Sequence, residues 1–195
     1  MVAAGEASTS LPHVPESFET ERLVVRAPRW DDAAAINAAV VESLAELRPW
    51  LRWAQAPPTL EESEESVHRA RLRFLARRDL RLHIFDKHSG VLLGASGLHR
   101  IDWALRRFEI GYWLRTSQTG RGYMSEAVAG ITDLAAGELA ANRVEIRCDA
   151  RNTRSRRIPE RLGFRLEGVL RSEALDPDGR PADEIVFAHV RGREL

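Results

Sequence analysis

The chain has 195 residues, enough for one domain with a substantial core and short for two. Lys and Arg number 29 against 29 Asp and Glu, and the formal net charge of +0 excludes a global field that would draw the protein onto nucleic acid or an anionic membrane. Apolar residues at 44% beside charged residues at 30% exclude a disordered or fibrous chain, and a lone cysteine, Cys148, excludes an internal disulfide or a cysteine-based metal cage.

No apolar run reaches the length of a bilayer crossing, and residues 1–15 lack the basic start and apolar core of a secretory leader, so a cytoplasmic protein is expected. Residues 1–16 read as a flexible tail. Inside the neutral total, Lys87 is the sole lysine, which leaves 29 − 1 = 28 arginines. Coding bias accounts for most of them, but guanidinium groups also fork onto phosphates.

In chain order, residues 22–26 read as a strand, and Asp31 or Asp32 is placed to cap a helix from Ala33 to about Leu47. Prolines between 49 and 58 break that helix. Thr59 stands three residues before Glu62, a capping-box spacing, ahead of a second helix that carries Val67, Ala70, Leu72, Phe74 and Leu75 and ends near Arg78. Residues 82–85 and 91–94 flank a Ser89-Gly90 turn as a hairpin, and 108–114 reads as one further strand. Beyond Gly120 and Gly122, the apolar positions Ala127, Val128, Ile131, Leu134 and Ala135 mark one face of a helix. Val144, Ile146 and Cys148 alternate along a strand, a helix covers about 153–162, and residues 176–179 turn a last hairpin.

Two places along this order carry chemistry. A glycine pair running into a helix presents free N–H groups and the positive end of the helix dipole, a setting for phosphate. Residues 118–124 have that form, but Ser125 stands where a dinucleotide fingerprint needs a third glycine, and no Gly-Lys-Ser/Thr of a P-loop follows. Asn152 is a good N-cap with Ser155 in the first helical turn. Pro159 has no N–H, so the Ser155 carbonyl loses its helical partner and a bend is expected there.

Residues 109–114 (Glu-Ile-Gly-Tyr-Trp-Leu), 120–127 (Gly-Arg-Gly-Tyr-Met-Ser-Glu-Ala), Asn152-x-x-Ser155 and 160–164 (Glu-Arg-Leu-Gly-Phe) together resemble the GNAT superfamily of acetyl-CoA-dependent N-acetyltransferases, within it the RimJ/RimL-like branch that acetylates N-terminal amines of ribosomal proteins. The likeness runs from about Phe18 to Val190. It implies an α/β (α+β) fold with residues 17–195 as a single domain: a mixed, mostly antiparallel sheet of about seven strands, helices on both faces, and the fourth and fifth strands splayed. It also implies that Trp113, Leu114 and Arg115 meet pantetheine, that Thr119, Gly120, Arg121, Gly122, Tyr123 and Met124 form the pyrophosphate loop, and that Asn152 and Ser155 lie on the cofactor side. Thr119 and Met124 depart from the family pattern, which has Gln or Arg first and a small residue last.

Amide formation from a thioester needs a neutral amine, donors on the carbonyl and a proton for the departing thiolate. Many family members use a tyrosine on the late helix. Here Tyr112 and Tyr123 both come too early in sequence, and the branch pattern points to Ser155 as the acid, with ordering of the helix start or contact with the cofactor's sulfur end as its other roles. Glu109 is the expected base, with a structural ion pair to Arg106 or Arg107, or a base supplied by water, as the alternatives. His99 and Asp102 stand behind it. Cys148 reads as packing. Trp50 and Trp53 suit an aromatic wall for the acceptor, while Glu61, Glu62, Glu64 and Glu65 read as a solvated helix start. Arg121, with Arg151, Arg154, Arg156 and Arg157, makes a cationic cofactor edge. The implied partners are acetyl-CoA and an amine, a protein N-terminus first and a small-molecule amine second. A CoA-binding sensor without catalysis is the alternative of another class. No metal, nucleic acid or membrane is expected, and a homodimer is left open.

Overall fold

Residues 12–195 are described by a computed structural model, and within them one sheet carries nine strands. These are β1 (Ser17–Glu19), β2 (Leu23–Arg26), β3 (Leu80–Asp86), β4 (Leu92–Asp102), β5 (Arg107–Ile110), β6 (Trp113–Leu114), β7 (Arg143–Asp149), β8 (Arg165–Leu175) and β9 (Pro181–Val190). The helices are α1 (Ala33–Leu47), α2 (Leu60–Leu75), α3 (Tyr123–Gly137) and α4 (Thr153–Arg161). The order across the sheet is β1-β2-β3-β4-β5-β7-β9-β8, with β6 beside β4, and every pairing is antiparallel except β5 with β7. α1 and α2 pack against β4 and β3, while α3 and α4 pack against β2, β4, β7 and β8.

The sheet has nine strands rather than about seven because β1 is an extra edge piece and the strand expected over 108–114 is cut in two. Residues 1–11 of the expected tail lie outside the described residues. Residues 12–16 lie against the domain: Val14 is buried, and the Glu16 carbonyl accepts from Ala27 N–H at 2.7 Å.

The helices follow their sequence signals, with one exception in how a carboxylate is used. Thr59 and Glu62 close a reciprocal capping box on α2. Asp32 occupies the N-cap position of α1, but its side chain makes no cap bond. It is buried and takes a two-pronged hydrogen bond from Arg26 at 2.6 and 2.8 Å and one from His83 Nδ1 at 2.7 Å, tying α1 to β2 and β3. A charge-assisted fork outweighs a single cap bond. α3 turns Ala127, Val128, Ile131 and Ala135 onto Leu82, Ile84, Leu98 and Ile146, all buried. At about 1.5–3 kcal/mol for each fully buried large aliphatic side chain, this face holds α3 on the sheet.

The feature that positions the site is a parting of strands. β5 and β7 stay paired only at Arg107↔Arg143, Phe108↔Val144 and Glu109↔Glu145. Beyond that, β6 continues along β4 (Gly94↔Leu114, Ala95↔Trp113), whereas the rest of β7 pairs with β9 alone. Gly94 makes the close approach of β6 to β4 possible, since a Cβ there would lie 2.3 Å from the Trp113 carbonyl oxygen.

Candidate active site

The opening between β6 and β7 has backbone on one side and helix α4 on the other. Arg115 N–H donates to the Leu93 carbonyl and the Trp113 carbonyl faces Gly94, so the alternation of a strand turns the peptide groups of Tyr112 and Leu114 away from β4, into the opening. Gly111, at the break, is held by the Ser96 hydroxyl, which donates to its carbonyl at 2.9 Å.

Across the opening, Asn152 caps α4 by accepting from Ser155 N–H at 3.0 Å. Pro159 orphans the Ser155 carbonyl as expected, and the Tyr112 hydroxyl takes the vacant place: it donates to that carbonyl at 2.9 Å. The Ser155 hydroxyl in turn donates to the Tyr112 oxygen at 3.2 Å. Burial pushes the Tyr112 phenol well above its ordinary value, so the tyrosine stays protonated. Its proton is committed to the carbonyl, which leaves the serine with the hydrogen that can turn. Tyr112 thus shares a cluster with Ser155, across 43 residues of sequence. Cys148 adjoins it, and burial lifts its thiol to about 11 against a hydrogen bond with Ser155 that lowers it.

Glu109 opens on the other face of the sheet. Its expected partners Arg106 and Arg107 are not the ones it meets. Arg100 Nη1 lies at 3.4 Å and Arg147 Nε at 3.6 Å from Oε2, both beyond a good hydrogen bond. Oε2 is buried without any hydrogen-bond partner among the described residues. Burial raises the Glu109 carboxyl above the usual glutamate range, Arg100 and Arg147 pull it down, and Glu145 and Glu184 push it up again. The position of Arg100 was hidden in the sequence, because a register shift after His99 and a positive φ of 44° at Arg100 set its direction.

The loop before α3 has Gly122 in the left-handed region at φ 80° as its N-cap and Gly120 at φ 77°. The first N–H groups of α3 have no carbonyl within the helix to bond. Thr119 does not reach outward: its hydroxyl donates to the Thr116 carbonyl at 2.9 Å. Met124 is buried in the core, so its bulk points away from the loop. The Arg115 side chain is held on α1 by Glu42 at 2.5 Å. Arg22 holds the loop from outside, donating to the Arg121 carbonyl at 3.0 Å and lying over the Tyr123 ring at 4.7 Å. Of the expected arginine edge, Arg151 is taken by Asp149 and Asp176, and Arg156 by Glu160. Arg121, Arg154 and Arg157 are exposed, with no ion pair to a carboxylate among the described residues. Trp53 packs edge-on against Trp113, with ring centroids 6.2 Å apart, so the α1–α2 connection leans over β6.

Strands that part beside a glycine-built helix start form an arrangement that a family comparison can test, and the Acetyltransferase (GNAT) domain model matches residues 22–165. The chain belongs to the GNAT acetyltransferase family. Among GNAT relatives, Bacillus subtilis YdaF, named as a candidate ribosomal N-acetyltransferase, is 29% identical over 172 residues, 88% of this chain and 92% of YdaF. The ribosomal-protein-serine acetyltransferase of Escherichia coli is 29% identical over 133 residues, 64% of this chain and 70% of that one. The GNAT fold is shared with RimL, a ribosomal L7/L12 α-N-protein acetyltransferase solved in complex with coenzyme A, at TM-score 0.82 and 24% identity over 91% of this chain and 97% of that one. Among the described residues no helix is long and apolar enough to cross a membrane, and no group of three His, Cys, Asp or Glu side chains could hold a metal ion.

Proposed function

We propose that this GNAT domain, spanning 17–195, transfers acetyl from acetyl-CoA directly to the α-amine of a protein N-terminus in a ternary complex. The observation that carries the reading is the opening between β6 and β7, which has a serine–tyrosine hydroxyl pair on one side and, on the other face of the sheet, a buried carboxylate oxygen without a hydrogen bond. Relatives named for ribosomal N-acetylation and a like-folded enzyme holding coenzyme A support it.

When bound, acetyl-CoA supplies the acyl group as a thioester. The peptide groups of Tyr112 and Leu114 line the opening as donors and acceptors for pantetheine, in a segment that Trp113 and Arg115 fix on β4. The N–H groups of the loop from Gly120 to Met124 face a pyrophosphate, with Thr119 closing the turn before them, Asn152 ordering the start of α4 and Arg121 supplying positive charge. Glu109 receives the acceptor's ammonium proton. Its shielded setting and raised carboxyl bring it closer to an amine's basicity than a solvated glutamate would be. Ser155 turns its hydroxyl from Tyr112 to the departing sulfur, while Tyr112 keeps the helix start fixed through the Ser155 carbonyl.

Release of the CoA thiol, measured with Ser- and Ala-starting peptides beside a panel of small amines, tests the acceptor. Turnover on the peptides is expected. Turnover confined to polyamines, amino acids or antibiotic amines overturns the N-terminal reading, and tight CoA binding without turnover on any amine makes the chain a sensor.

A further inference from the structure

Glu109 has a neighbour that the reaction above does not use. β4 and β5 pair His99 with Glu109, so the two side chains stand on the same face of the sheet with Cβ atoms roughly 5 Å apart. The His99 ring is fixed from behind: Nδ1 lies 2.8 Å from Oδ2 of Asp79, the residue that joins the end of the α2 segment to β3. That bond fixes the tautomer when the ring is neutral, with the proton on Nδ1 and a lone pair on Nε2. Burial works against the Asp79 carboxylate, yet His99, Arg81 and Arg73 hold it below the usual range, so it remains an acceptor.

The free edge of the ring points at the strand break. A Cβ on Gly111 would lie 3.2 Å from His99 Cδ2 and 3.6 Å from Nε2, so the missing side chain of Gly111 is what leaves room for the ring beside the opening. Nε2 has no hydrogen-bond partner among the described residues and is not sealed off, as the His99 side chain keeps 27% of its exposure. The Glu109 side chain keeps 16% of its exposure, and its Oε2 takes no hydrogen bond among the described residues. An oriented imidazole with one edge in solvent and a shielded carboxylate next to it form a donor–acceptor chain leading out of the site. Arg100 and Arg147 also face Glu109, but a guanidinium does not deprotonate in a protein and cannot carry a proton away.

We propose that His99, held by Asp79, is the proton exit of this acetyltransferase, passing to solvent the proton that Glu109 removes from the acceptor. In the first transfer an ammonium N–H bond breaks and an O–H bond forms on Glu109, giving a neutral amine and a neutral acid. In the second, directly or through one water, that O–H bond breaks and an N–H bond forms on His99 Nε2, restoring the carboxylate and giving imidazolium, with Asp79 holding the charge in place. The Nε2 proton then passes to bulk water, and no electrons change hands. His99 acts through Glu109 and is a positioning and relay residue, and the inference rests on reading Glu109 as the base.

A double-mutant cycle on the full-length enzyme tests it with the best peptide acceptor, using His99→Ala, Glu109→Gln and both together. His99→Ala is expected to lower kcat about tenfold while the KM values for acetyl-CoA and peptide stay within about twofold. Added imidazole should restore part of the loss in His99→Ala and none in Glu109→Gln. In the Glu109→Gln background, His99→Ala should cost nothing further. His99→Gln, which keeps an N–H for Asp79 but cannot relay, should behave as His99→Ala without rescue. Additive losses, or no rescue of a folded His99→Ala enzyme, overturn the relay while leaving Glu109 in its role. Full activity in Glu109→Gln overturns the base and the relay with it.

Discussion

Ser155 and Tyr112 form one hydroxyl pair, and under the proposed roles replacing Ser155 should separate chemistry from binding while replacing Tyr112 should loosen the start of α4. Ser155→Ala should lower kcat by about 10²-fold with a much smaller change in acetyl-CoA affinity, since its hydrogen matters most as the sulfur departs. A loss mainly of affinity would make it a binding residue instead. Tyr112→Phe leaves the Ser155 carbonyl without a donor and should cost about 1–3 kcal/mol of stability, read by thermal or urea unfolding. For Glu109 the sign follows from its proposed role: a base must be a carboxylate, and its carboxyl is raised, so the acid limb of kcat against pH should lie above that of an ordinary glutamate. Arg147→Ala removes a charge that favours the carboxylate and frees Glu145 and Glu184 to repel it, so the limb should move further up; an unmoved limb contradicts the assignment. The strand end that carries Glu109 and the helix start that carries Ser155 could be read from the sequence because their motifs are local. Tyr112, Arg100 and Asp79 could not, because their relation to those residues is made by the sheet register.

The approach of β6 to β4 depends on one glycine, and the seat of α1 on β2 and β3 depends on one buried charge fork. Gly94→Ala places a methyl 2.3 Å from the Trp113 carbonyl, so β6 must leave β4; loss of acetyl-CoA binding in a protein that still folds is expected, measured by calorimetric titration. Arg26→Ala strands Asp32, whose side chain is only 6% exposed, and should cost about 3–5 kcal/mol of unfolding free energy. Burial works against the Asp32 carboxylate, but Arg26 and His83 hold it far below the usual range, while burial depresses the His83 imidazole. A depressed carboxylate gives stability that is present above its unfolded value and lost as pH falls toward the folded one. A depressed imidazole adds loss below the ordinary histidine range, where only the unfolded chain takes up the proton. Asp32→Asn should therefore lower stability at neutral pH and make its further fall toward acid less steep, read by urea unfolding across pH. Helix signals were clear in the sequence because capping and apolar period are local, as at Thr59 and along α3. The break of 108–114 into β5 and β6, the β1 edge and the use of Asp32 were not, since each is decided by which strand or side chain comes alongside.

Taken together, the neutral charge total conceals a division of surfaces. Arg121 on the loop and Arg154 and Arg157 on α4 are exposed, with no ion pair to a carboxylate among the described residues, while Glu109, Glu145 and Glu184 gather with Arg147 on the face of the sheet away from α4. That division suits an anionic nucleotide on one side and a cationic amine on the other, which a composition of +0 could not disclose. The family could be read from four ordered motifs, but the acceptor could not, because the elements proposed to face it, the α1–α2 connection, β5, β7 and β9, lie far apart in sequence. The measurement that bears most directly on the central claim is acetyl transfer to Ser- and Ala-starting peptides, followed by CoA release and peptide mass, in the wild type and in Glu109→Gln. The account predicts an added acetyl on the peptide α-amine, strongly reduced in the variant. An unmodified peptide, or equal modification by both proteins, would contradict it.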